Sequence, residues 1–180
     1  TLSIIPRIDK LKSLAKKFNL KLVFDAACAI NSKFLRKSIV DYSDISTFSF
    51  NGNKSFTTGS GGLISTNNKS LYNRSKLISE NAKYKSSYIY SDIGYNLRMN
   101  NLNAAIGLGQ IKKFKNIKKK KNLITKKYDL FAKKSSIKIL PSPWYSSHLI
   151  WINCLILSNS LKVKKIINIL KRKNIETKFF

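Results

Sequence analysis

The stretch from Thr47 to Thr66 constrains this chain more than any other part of it. Phe48 and Phe50 alternate with Thr47 and Ser49, a two-residue period that predicts a strand. Asn51-Gly52-Asn53 breaks that strand and a single lysine, Lys54, follows. Thr57-Thr58-Gly59-Ser60-Gly61-Gly62 then leads into a second strand at Leu63–Thr66. A lysine on a short loop between two buried strands sits in a fixed, partly dry place, where its amine is free to attack a carbonyl. On the loop alone, Lys54 reads first as one solvated lysine among many, and only the rest of the chain favours a chemical role.

The charge balance raises a different class of function. The 180 residues carry a formal net charge of +27, which invites a nucleic-acid or anionic-surface reading. Only five of the 35 basic residues are arginine, the better reader of bases and phosphates. Lysines are spread along the chain beside many Asn and Ile, so a compositional drift explains the charge as well as a binding surface does. At 43% hydrophobic residues the chain is rich enough in apolar side chains to fold. Cys28 and Cys154 lie far apart and form no motif, and His148 is the one histidine. The plain reading is a reduced, cytoplasmic protein without a metal site. The longest apolar run, Leu149 to Leu157, contains Asn153 and is too short to span a bilayer.

In chain order, Ile8–Phe18 predicts a helix with Ile8, Leu11, Leu14 and Ala15 inward, capped by Asn19. Leu20–Phe24 predicts a strand that Asp25 ends. Helix, short loop and buried strand are half of an α/β unit. An acidic residue at the carboxyl end of a parallel strand lies where open α/β sheets bind ligands. Asp25 is equally readable as a turn or capping residue. Further strands are expected at Asp44–Phe50 and Leu63–Thr66, a helix over Lys69–Lys83, and a loop over Tyr84–Tyr90. Gly94 and Asn96 mark a turn. A long helix capped by Asn101 or Asn103 should run to about Phe131, with Ala104, Leu108, Ile111, Ile117, Ile124, Tyr128 and Phe131 inward. Nine lysines between Lys112 and Lys127 are assigned to its outer face, which binds phosphates on one reading and is merely solvated on the other. Pro141 and Pro143 punctuate a linker, followed by a strand at Leu149–Leu157, a helix at Leu161–Arg172 and the start of a strand at Ile175–Phe180.

Four motifs occur together in this order: Asp25-Ala26-Ala27, Phe48 to Lys54, Thr57 to Gly62, and Gly94-Tyr95-Asn96-Leu97-Arg98-Met99. The set resembles the pyridoxal-phosphate-dependent aminotransferases of nucleotide-linked keto-sugars, the DegT family, and most of all members that build perosamine or legionaminic-type surface sugars. Asp44-Ile45 and Asn103-Ala104-Ala105-Ile106-Gly107 also match. The resemblance covers nearly the whole chain. It implies an α/β fold: residues 1–134 as the later part of the large domain of a fold-type I transferase, 135–180 as the incomplete start of its small α/β C-terminal domain, and further residues upstream that complete the site.

The implied activity is transfer of an amino group, with glutamate as donor, to a keto group of a nucleotide-linked deoxy-sugar for surface polysaccharide. The implied assembly is a homodimer with shared active sites, without nucleic acid or membrane as partner. Lys54 is implied to hold pyridoxal 5′-phosphate as a Schiff base and to move the substrate proton. Asp25 is implied to keep the ring nitrogen protonated, and Ser49 to bind the phosphate. Asn96 is implied to serve the phosphate in the partner's site, with Arg98 a weaker assignment there. Cys28 stands where the family often has a polar residue touching the cofactor ring, and Asn31 and Ser43 stand where it has glycines. The competing readings are a catalytically silent relative of the same fold and a basic nucleic-acid-binding module.

Overall fold

The computed structural model describes residues 4–84, 88–135, 137–157 and 159–179. The chain divides into two compact units. One holds the residues up to Asn122 together with Ser142–Trp151, the other Leu123–Pro141 with the residues from Ile152 onward.

The first unit is built on a three-stranded sheet, β1 (Val23–Asp25), β4 (Ile45–Ser49) and β5 (Gly62–Ser65), in the order β1-β4-β5. β1 runs parallel to β4 with Asp25 opposite Thr47, and β5 runs antiparallel with Gly62 opposite Ser49. β1 starts later than the expected Leu20. The cause is Asp44, whose carboxylate accepts the Leu22 N–H at 2.8 Å, so that the chain joins the ladder only at Val23. A second, antiparallel sheet has the order β3-β2-β7, from β2 (Lys33–Phe34), β3 (Lys37–Ser38) and β7 (Ser146–Ser147). Helix α1 (Ile8–Lys17) ends at Asn19, which takes the left-handed conformation (φ +51°) while Leu20 N–H bonds Ala15 C=O at 2.8 Å. The core is Ile5, Ile8, Ala26, Ala29, Phe34 and Ile39. Phe34 is packed edge-on to Tyr42 and tilted against Tyr145, each at 5.3 Å between ring centres. Of the α1 face, Ile8 and Ala15 are buried, but Leu11 and Leu14 are exposed, contrary to expectation.

Helix α2 (Lys69–Ser79) is capped by Asn68, whose side chain accepts the Leu71 N–H at 3.1 Å. It stops four residues short of the expected Lys83, because Asn81 and Ala82 turn left-handed. Lys83 and Tyr90 form an antiparallel bridge across the expected loop, of which residues 85–87 lie outside the described residues. Helix α3 (Asn101–Lys133) fulfils the long-helix expectation, but its cap is Asn100, which accepts the Asn103 N–H at 2.9 Å. Its inner face also differs. Gly107 is buried, and Asn103, Gln110, Phe114, Ile117 and Lys121 are half-buried, one every third or fourth position, with Lys118 half-buried beside them. Ala104, Leu108, Ile111, Ile124, Tyr128 and Phe131 are exposed. Gly107 decides the register, since a Cβ there would already stand 3.0 Å from the Thr58 methyl.

In the second unit β6 (Lys138–Ile139) pairs antiparallel with β8 (Leu155–Ile156), and α4 (Ser160–Arg172) follows. Val163, Ile166, Ile167 and Leu170 form the half-buried stripe of α4. The expected strand over Leu149–Leu157 shrinks to β8, because the chain passes from one unit to the other between Trp151 and Ile152. Residues 175–179 form no strand: after Asn174 turns left-handed, Ile175 N–H closes the helix end on Leu170 C=O at 2.9 Å. Residue 180 lies outside the described residues.

Candidate active site

The β4–β5 connection is a knot of backbone hydrogen bonds that holds one lysine. Phe50 N–H bonds Gly61 C=O and Thr58 N–H returns to Phe50 C=O, both at 2.9 Å. The Thr57 hydroxyl donates to the same Phe50 carbonyl at 3.1 Å and accepts the Gly59 N–H at 2.9 Å. Thr58 is buried and its hydroxyl donates to the Ser60 carbonyl. The glycines are set by geometry. Gly61 has φ +108°, and a Cβ on Gly62 would lie 2.5 Å from the Phe48 carbonyl oxygen. Asn103 of α3 donates to the Thr58 carbonyl from outside the knot. Inside it, Lys54 N–H closes a turn on Asn51 C=O at 3.0 Å.

Lys54 is half-buried and its Nζ has two neighbours of different kinds. It donates to Cys28 Sγ at 3.1 Å, and it stands 4.2 Å from the centre of the Trp151 ring. Cys28 lies three residues after Asp25, on the loop that leaves β1. Asp25 is exposed at the carboxyl end of β1, where its Oδ1 accepts the Ala27 N–H at 3.1 Å. Ser49 ends the adjacent β4 and its Oγ accepts the Asn51 N–H at 3.4 Å. Four of the candidates, Asp25, Cys28, Ser49 and Lys54, are thus carried at the carboxyl ends of two parallel neighbouring strands, the position where α/β sheets bind ligands.

Asn96 is placed differently. The turn that carries it is tied to the end of α2: Tyr95 N–H bonds Ile78 C=O at 2.7 Å, Leu97 N–H bonds Ser79 C=O at 3.0 Å, and Asn81 N–H bonds Tyr95 C=O at 3.0 Å. Asn96 and Arg98 are exposed, and among the described residues no hydrogen bond joins the Asn96 side chain to the other four.

Sequence reasoning overlooked Trp151 and Lys121. The Trp151 indole N–H donates to the Asn53 carbonyl at 2.7 Å, and Lys121 Nζ donates to the Trp151 carbonyl at 2.8 Å. Burial lowers the pKa of the Lys121 amine. Neither residue belongs to a spacing pattern that would have marked it. Lys118 also turns inward, its Nζ donating to Asn31 Oδ1 at 3.3 Å, so two of the nine lysines assigned to the outer face belong to the inner one.

The donor set suits an aldehyde cofactor with a phosphate and a basic ring nitrogen. It offers a primary amine, an exposed carboxylate with its Oδ2 open among the described residues, and a hydroxyl at a strand end. The comparisons agree with that chemistry. Over 105 residues the chain is 44% identical to the GDP-perosamine synthase of Escherichia coli O157:H7, a match covering 58% of this chain and 29% of that protein. It is 36% identical over 149 residues to the UDP-4-amino-4,6-dideoxy-N-acetyl-beta-L-altrosamine transaminase of Campylobacter jejuni, covering 79% and 40% of the two chains. Among solved structures, Helicobacter pylori PseC, an aminotransferase involved in the biosynthesis of pseudoaminic acid, superposes with a TM-score of 0.86 at 24% identity, over 94% of this chain and 47% of that one. Spr1654 of Streptococcus pneumoniae, solved in a PLP form, superposes with a TM-score of 0.84 at 20% identity, over 96% and 50%. The chain spans half or less of the length of these relatives. The fold they share is that of fold-type I pyridoxal-phosphate aminotransferases. The DegT/DnrJ/EryC1/StrS aminotransferase family model matches residues 4–180, which include the lysine loop, the strand-end carboxylate and the Asn96 turn, and the chain belongs to that family.

Proposed function

We propose that this chain supplies the lysine-bearing part of a pyridoxal-phosphate-dependent sugar aminotransferase. The observation that carries the reading is the meeting of Lys54 Nζ with Cys28 Sγ at 3.1 Å, which brings the lysine loop to the strand end that bears Asp25. Pyridoxal phosphate, when bound, supplies an electron sink for charge at the substrate carbon. Lys54 would hold it covalently through Nζ and, once released, carry a proton on that nitrogen to and from the substrate. Asp25 would present its carboxylate to the ring nitrogen and keep it protonated. Ser49 Oγ would donate to the phosphate, and the Cys28 thiol would lie against the ring.

The substrates in this reading are an amino-acid donor, glutamate, and a nucleotide-linked keto-sugar; the names of the two relatives above, a GDP-perosamine synthase and a UDP-amino-sugar transaminase, support the nucleotide-sugar class. Residues 1–134 belong to the large domain and 135–180 begin the small one. The protein works in the cytoplasm as a homodimer in which Asn96 of one subunit serves the phosphate in the other. Among the described residues no helix is long and apolar enough to cross a membrane. The basic nucleic-acid-binding reading is not favoured, since the family accounts for the chain without it.

The test is covalent. Full-length protein incubated with pyridoxal phosphate and reduced with borohydride should carry the label on Lys54, mapped by peptide mass spectrometry, and Lys54→Ala should fold but lose both label and turnover. A label on a different lysine would overturn the assignment.

A further inference from the structure

Three consecutive residues of the lysine loop are gripped by one short segment far along the chain. Asn53 and Trp151 are 98 residues apart, yet the indole Nε1–H donates to the Asn53 carbonyl at 2.7 Å. The face of the same ring lies 4.2 Å from Lys54 Nζ. The Ser55 hydroxyl donates to the Ile150 carbonyl at 3.5 Å. The segment is itself anchored. Leu149 is 1% exposed, β7 ties Ser146–Ser147 to β2, and Lys121 of α3 donates to the Trp151 carbonyl at 2.8 Å. A tryptophan that only filled space would need neither bond. Here the N–H bond fixes the plane of the indole, so its electron-rich face, not its edge, meets the cationic amine. Cys28 Sγ lies 3.1 Å from the same nitrogen, so two partners of different kinds fix where Nζ stands.

We infer that Trp151 is a positioning residue for Lys54: with Lys121 anchoring its carbonyl, it straps the loop at Asn53 and holds the amine over its ring whenever Lys54 is not bonded to the cofactor. The inference rests on the reading of Lys54 as the cofactor-bearing lysine. An amine that must be released and recaptured in every cycle gains from a fixed resting place, because a near-attack geometry replaces a search through rotamers.

The experiment uses full-length protein with Trp151→Leu, Trp151→Phe, Lys121→Met and Lys121→Arg. Two readouts precede turnover: amide hydrogen exchange at Lys54 without cofactor, and the rate at which Lys54 captures pyridoxal phosphate, trapped by borohydride and counted by mass. Steady-state kinetics then separate kcat from KM for the amino-acid donor. Losing the ring face and the N–H bond together should slow capture and kcat about ten- to a hundred-fold in Trp151→Leu. Trp151→Phe keeps a face and should lose roughly three- to ten-fold. Lys121→Met should follow Trp151→Phe, with Lys121→Arg restoring the rates. KM should move far less than kcat.

Capture and kcat within about two-fold of wild type in Trp151→Leu would overturn the inference. So would a loss confined to KM. Should Trp151→Leu fail to fold, Trp151→Phe and Lys121→Met decide by the same criteria. If the wild-type label falls on another lysine, the functional reading fails, and exchange at the Lys54 amide still judges the strap. About ten-fold faster exchange in Trp151→Leu sustains it and unchanged exchange removes it.

Discussion

Adding one methyl group at Gly94 should unfasten the turn that presents Asn96. A Cβ built on Gly94 would lie 2.2 Å from Ala82 N, 2.2 Å from Asn81 C and 2.8 Å from Ala82 Cβ. Ordinary contact begins near 3.4 Å, so one backbone must move by about 1.2 Å. The Asn81-Ala82 side is the less able to yield. Both residues hold left-handed conformations, φ +63° and +53°, and Ala82 is fully buried with its N–H bonded to Leu77 C=O at 2.8 Å. The turn moves instead, at the expense of Tyr95 N–H to Ile78 C=O (2.7 Å) and Leu97 N–H to Ser79 C=O (3.0 Å). Overpacking of a tight site costs about 1–3 kcal/mol and each of the two lost hydrogen bonds about 0.5–1.5 kcal/mol, together about 4 kcal/mol at mid-range. That corresponds to roughly thousand-fold faster amide exchange where exchange proceeds by local opening. The assay is native-state hydrogen exchange on Gly94→Ala: the amides of Asn81, Tyr95 and Leu97 should lose protection by about that factor while those of β4 keep theirs. Exchange within three-fold of wild type at all three amides would refute the steric reasoning.

Two further predictions bear on the chemistry. Asp25→Asn keeps the acceptor for the Ala27 N–H and so should keep the fold, while turnover should fall about a hundred-fold or more if its carboxylate serves the ring nitrogen as proposed; near-normal kcat would make Asp25 a strand-end cap. Inactive Lys54→Ala and Asn96→Asp full-length proteins, mixed under conditions of demonstrated subunit exchange, should recover about a quarter of all sites if the two residues serve different chains of a two-fold dimer; no recovery would exclude the crossed arrangement.

The parts of the fold that were legible in the sequence are those dictated by local rules. Phe48 and Phe50 alternating with Thr47 and Ser49 placed β4, and Asn19 marked the end of α1 because asparagine tolerates the left-handed conformation it adopts. The departures at Asn31 and Ser43 also have local accounts. Asn31 sits at φ +57°, where glycine is at ease and asparagine is the next best choice, and Ser43 is extended with its hydroxyl 2.8 Å from that of Ser46. Long-range geometry was not legible. Nothing within α3 says which of its apolar positions will face the sheet. The choice falls to Gly107 against the Thr58 methyl and Phe114 edge-on to Phe56 at 6.1 Å. The candidate site divides in the same way: its strand-end and loop residues follow from pattern and resemblance, whereas Trp151 arrives from a segment that reads as one long strand.

The basic charge takes on a different meaning once the lysines are located. A net charge of +27 suggests a polyanion partner only while its lysines are interchangeable. They are not interchangeable here. Lys118 fastens α3 to Asn31, Lys121 fastens it to the Trp151 carbonyl, and Lys54 lies between sulfur and indole. Each of these three meets a named acceptor or ring within the chain. The Lys121 contact shows what the chain gains. Its Nζ donates to the backbone carbonyl of the residue whose ring faces Lys54 Nζ, so Trp151 meets the two lysines through separate groups, its carbonyl and its ring. Arginine at position 121 would keep the donor, whereas methionine would remove this bond to the Trp151 carbonyl. The composition that first resembles a drift toward lysine therefore includes at least one lysine whose replacement should be felt at Lys54.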